Sequence, residues 1–124
     1  MMQSDGQQAA RVSALRDLVQ WRRLPIADAI ARMNEFSWDS DELVELTVVD
    51  AAASLDRYLA GEAAAEDVNA WADALEGRDD LALEGAHSEL LKEFLFEIAN
   101  PELAEPLTPT FAQHWKDRLR GARS

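Results

Sequence analysis

The chain has 124 residues, 24 Asp and Glu against 12 Lys and Arg, a net charge of −12, and no cysteine. That length suits a single domain, and the missing cysteines exclude a disulfide framework and thiolate chemistry. The charge repels nucleic-acid phosphates and anionic lipid surfaces, and no apolar run nears the roughly 18 residues that span a bilayer.

The charge is unevenly spread. Residues 39–105 hold 19 acids against Arg57, Arg78 and Lys92, leaving −16, while the flanking segments are +1 and +3. The opening stretch MMQSDGQQAARV has no apolar signal-peptide core, which points to the cytoplasm. Ala, Leu, Glu and Arg dominate, so local propensity favours helix nearly throughout. The expected fold is an all-α, compact single-domain bundle of about six helices over residues 1–124, with 1–7 and 121–124 frayed.

A first helix is expected over Gln8 to Arg23, with Val12, Leu15, Leu18 and Val19 on one face. A second begins at LPIADAIARMN, where Pro25 suits the first helical position and Ile26, Ile30 and Met33 recur at i, i+4 and i+7. NEFSWDS breaks the pattern, and its two aromatics, Phe36 and Trp38, are expected to fold back onto the core.

Asp39 followed by Glu42 resembles a capping box, which predicts a third, central helix through Leu43, Leu46, Val49 and Ala53 to Leu59, ended by Gly61. The fourth runs from Ala65 to Glu76 and buries Val68, Trp71, Ala72 and Leu75. Gly77 takes its left-handed end position. GRDDLALEGA is a connector that has room for a short extended piece at Leu81 and Leu83. The fifth spans Ala86 to Ala99, with Leu90, Leu91, Phe94, Leu95 and Ile98 inward. PELAEPL is a loop anchored by Leu103 and Leu107. Thr108 then caps a last helix carrying Pro109 first and the stripe Phe111, Trp115 and Leu119.

Asp79 and Asp80 stand beyond a helix end that already carries partial negative charge, so they do not serve that helix. Either they satisfy local donors or pair with a base such as Arg78, or they form a displayed acidic patch. Arg78 is expected to pair within the fold, with Asp79, Asp80 or a carboxylate such as Glu76.

Catalytic chemistry finds little support. His87 and His114 are lone histidines, the serines lack a Gly-x-Ser-x-Gly elbow, and no phosphate-cradling glycine loop occurs. Glu84 and His87 read Glu-x-x-His once, across a glycine and without a second copy. The row Glu89, Glu93 and Glu97 reads as a solvated helix face beside Lys92. No catalytic, cofactor-binding or metal-binding residue is assigned, and the expected protein is not an enzyme. A small metal-dependent helical enzyme using the Glu84–Glu97 region is the alternative, together with a structural homodimer that hides an apolar face. The leading expectation is an acidic domain that binds a basic protein partner, with no nucleic acid and no membrane. Its expected contact residues are Asp73, Glu76, Asp79 and Asp80.

One resemblance bears on the cellular role. Tyr58, Leu59, Gly61 and Glu62, then Trp71 and Ala72, then Glu76, Gly77, Arg78 and Asp80 form a spaced pattern. It continues with Ala99, Asn100 and Pro101, and with Pro106, Leu107 and Thr108. This pattern, over roughly residues 55–115, resembles a group of small acidic, uncharacterised bacterial proteins. They are similar in size and charge to immunity proteins that neutralise bacterial toxins. The resemblance implies a toxin-neutralising role and brings no catalytic residue with it.

Overall fold

A computed structural model describes residues 5–22, 25–36 and 42–123. Within them six α-helices and a two-stranded sheet share one core. The helices are α1 (Asp5–Val19), α2 (Ile26–Met33), α3 (Val48–Leu59), α4 (Ala65–Leu75), α5 (Ser88–Ala99) and α6 (Pro109–Arg123). The strands are β1 (Val44–Leu46) and β2 (Leu81–Leu83), which pair in parallel with Val44 opposite Leu81 and Leu46 opposite Leu83. Helical backbone at Asp5 and at Arg123 extends the end helices into residues that the sequence reading leaves frayed.

α1 packs on α2, α3 on α6 and α4 on α5, and α4 also touches α2 and α3. The expected stripes supply the core: Leu15, Leu18 and Val19 of α1, Val68, Trp71, Ala72 and Leu75 of α4, Leu91, Phe94, Leu95 and Ile98 of α5, and Phe111, Trp115 and Leu119 of α6 are all buried. A run of rings crosses it. Trp21 lies 6.0 Å from Trp71, Trp71 lies 6.2 Å from Phe94, and Phe94 lies 5.3 Å edge-on from Trp115, all measured between ring centres. Edge-on and tilted contacts are the arrangements that aromatic quadrupoles favour.

The third helix is shorter than expected. Its first part is β1, where Val44 and Leu46 are buried and Glu45 is exposed, a period of two. The helix starts after Thr47. The Thr47 hydroxyl accepts from Asp50 N–H and the Asp50 carboxylate accepts from Thr47 N–H, each at 3.1 Å. This reciprocal pair is the real capping box, and Asp39 lies outside the described residues. Glu84, just past β2, accepts from Val48 N–H at 3.0 Å and adds a second cap to the same helix end. Thr47→Ala should therefore cost about 1 kcal/mol in urea unfolding. An unchanged midpoint would mean that Glu84 alone holds the helix end.

Glycines follow the ends of α3 and α4. Gly61 and Gly77 both have φ near +80°, the left-handed end conformation. α1 ends the same way on Trp21, at φ +55°, with Arg22 N–H reaching back to Asp17 O at 2.8 Å. A non-glycine there costs about 1–2 kcal/mol, against which stands the burial of the whole indole. Pro25 sits one position earlier than expected, as the residue before α2. Phe36 is half-buried against the core, and Trp38 lies outside the described residues. Leu107 is buried, but Leu103 is 68% exposed and anchors nothing.

Candidate functional site

The segment after α4 turns the chain twice in five residues. Glu76 leaves the helix with extended backbone and Gly77 reverses direction. Arg78, Asp79 and Asp80 then lead into β2. The two aspartates point opposite ways: Asp79 is exposed and Asp80 is wholly buried.

Asp80 sits between two guanidinium groups. Arg78 Nε donates to Oδ1 at 2.8 Å and its Nη2 donates to Oδ2 at 3.0 Å. Arg11 Nε, from α1, donates to Oδ2 at 2.9 Å. Both arginines are only 5% exposed. The Asp80 carbonyl also accepts from the N–H groups of Leu43 and Val44, at 2.8 and 3.2 Å. One residue thus fastens α1, the strand β1 and the end of α4 together. Burial alone would raise the Asp80 pKa, but the hydrogen bonds and charges of Arg78 and Arg11 outweigh it and hold the carboxyl below its ordinary value.

Arg78 therefore pairs as expected, with Asp80. The same geometry corrects the expected contact set, because a fully buried Asp80 cannot meet a partner at the surface. Asp73 and Asp79 are exposed and Glu76 is half-buried, so three of the four expected carboxylates remain available. Arg11 is the member that sequence reasoning missed. A signal was present: Arg11 stands four residues before Leu15 and seven before Leu18, on the apolar face of α1.

The end of α4 forms a ridge between two grooves. On one side, about 430 Å³ lies between α2 and α4, bordered by Ile30, Asn34, Asp73 and Glu76. On the other, about 470 Å³ lies between β2 and α5. Leu81, Leu83 and Leu95 line that second groove, with Glu42, Glu76 and Asp79 around it. Arg78 borders both, so the buried ion cluster sits directly beneath the ridge.

The carboxylates elsewhere are differently engaged. Glu93 accepts from both terminal nitrogens of the Arg118 guanidinium, at 3.0 and 3.2 Å, and these hydrogen bonds lower its pKa. Arg118 also lies 4.2 Å over the Trp115 ring. Asp56 pairs with Lys116 and Glu62 with Arg57. Glu84 caps α3, and His87 falls in a short 3₁₀ turn (Gly85–His87) before α5 without a side-chain cap bond. Among the described residues no three His, Asp or Glu side chains gather as a metal ion would require. Comparison with protein-family models, with curated proteins and with solved structures finds no match to this chain.

Proposed function

We propose that this chain is a non-enzymatic, acidic binding protein that captures a basic protein partner, with neutralisation of a basic toxin domain as its sharpest form. The observation that carries this reading is the ridge at the end of α4. Its carboxylates Asp73 and Asp79 face solvent, and Glu76 lines both flanking grooves. Asp80 lies beneath them, engaged by Arg78 and Arg11. The ridge is also set in the segment that carries a net −16. Such a field draws a basic surface in and orients it before contact. Among the described residues no helix is long and apolar enough to cross a membrane, and the reading places capture in the cytoplasm.

The test is kinetic. A basic partner isolated from extract of the source cells is followed by stopped-flow at low and at moderate salt, with wild type and with the triple variant Asp73→Asn, Glu76→Gln, Asp79→Asn. The association rate should fall about tenfold at low salt, and its salt dependence should flatten. Equal rates for the two proteins would leave these carboxylates with no role beyond solubility.

A further inference from the structure

The groove between β2 and α5 has a different character from the ridge beside it. Its floor is leucine: Leu81 and Leu95 are buried, and Leu83, partly buried, reaches its surface. Three carboxylates, Glu42, Glu76 and Asp79, stand around it. Among the described residues Lys92 is the one cation there apart from Arg78, which is ion-paired with Asp80. An apolar floor inside an acidic border selects a ligand of complementary pattern, an apolar side chain flanked by positive ones.

The groove is also held in shape from below. Leu81 and Leu83 belong to β2, which is hydrogen-bonded to β1 on one side. Asp79 and Leu81 flank Asp80, which the two arginines fix in place. A preformed pocket asks less ordering of its own chain on binding.

We propose that this groove docks a segment of the basic partner in which one apolar side chain sits on Leu83 between Lys or Arg residues that meet Glu42, Glu76 and Asp79. The proposal rests on the capture reading above and adds to it a division of labour. Charge on the ridge governs encounter, whereas the apolar anchor governs residence, because desolvated central contacts set dissociation.

Two fluorescein-labelled peptides test it: three lysines, one leucine and three lysines, and the same peptide with serine in place of leucine. Fluorescence anisotropy at low salt should give about tenfold tighter binding for the leucine peptide. Leu83→Ser should erase that difference and leave serine-peptide binding unchanged, with far-ultraviolet circular dichroism confirming the fold. Ser88→Phe, which places a ring in the groove from the first residue of α5, should weaken the leucine peptide alone and serves if Leu83→Ser does not fold. The Asp73, Glu76, Asp79 triple variant should weaken both peptides. Equal binding of the two peptides to wild type overturns the groove proposal, and so does a tenfold gap that survives Leu83→Ser or Ser88→Phe. Failure of both peptides to bind, or indifference of both to the triple variant, counts instead against the capture reading on which it stands.

Discussion

Asp80→Ala should lower stability by about 3–5 kcal/mol at neutral pH, the usual cost of removing one partner from a buried ion cluster. The loss comes less from the missing bonds than from what remains. Arg11 and Arg78 would keep their charges at 5% exposure without the carboxylate that both now contact. Asp80→Asn keeps the shape and removes the charge, so it should fall between wild type and Asp80→Ala. Arg78→Ala should also destabilise, and Arg78→Lys should restore only part of the loss, since one ammonium cannot reproduce the two-point contact at 2.8 and 3.0 Å. Acid supplies an independent check. The folded Asp80 carboxyl titrates below its unfolded counterpart, near 3.9. Its contribution is therefore complete above the unfolded value and disappears as pH falls through the folded one. The gap between wild type and Asp80→Asn in urea unfolding should be constant near neutrality and close below about pH 4. A gap that stays constant into acid would mean that Asp80 is not held as a carboxylate.

Much of the helical part of this fold is written in local spacing. The stripes of α1, α4, α5 and α6 name most of their own buried residues, with Val12 and Leu90 only half-buried, and Gly61, Gly77 and Thr108 mark ends and starts through backbone chemistry that involves only near neighbours. The sheet is another matter. Val44-Glu45-Leu46 and Leu81-Ala82-Leu83 are each three residues long, too short for a period of two to be told from a helical face. What makes them strands is each other, across a gap that no local window covers. That is why Leu43 and Leu46 read as a helical stripe and why Asp39 with Glu42 reads as the helix start, although the cap is Thr47 with Asp50.

The candidate site divides along the same line. Asp73, Glu76 and Asp79 could be named from charge and from the position of Gly77, all local. The burial of Asp80 could not, because it depends on Arg11, 69 residues away. A doubled aspartate reads as one feature in sequence. Asp80 closes the turn just before β2, where Arg11 and Arg78 hold its carboxylate inside while Asp79 stays outside. The groove beside them also needs Leu83 of β2 and Leu95 of α5 to meet, which only the tertiary fold provides.

Trp71→Ala should cost about 3–5 kcal/mol, the range for deleting a large buried aromatic. The ring is wholly buried and stands second in the run from Trp21 to Trp115, so its loss opens a cavity that borders α1, α4 and α5 together. It also carries a polar duty. Trp71 Nε1 donates to the Leu18 carbonyl at 2.8 Å, and Leu18 lies in the last turn of α1, where carbonyls run out of helical donors. Trp71→Phe separates the two contributions. It keeps most of the ring volume and removes one donor, while the Leu18 carbonyl still accepts from Trp21 N–H, so its cost should be smaller, about 0.5–1.5 kcal/mol. Because Leu18 and Arg11 both belong to α1, Trp71→Phe and Asp80→Asn should couple, so that the double variant departs from the sum of the two single losses. Urea unfolding of Trp71→Ala, Trp71→Phe, Asp80→Asn and the double variant Trp71→Phe, Asp80→Asn measures all of this. A loss below about 1 kcal/mol for Trp71→Ala would put the ring at the surface. Strict additivity in the double variant would mean that the aromatic run and the ion cluster hold α1 independently of each other.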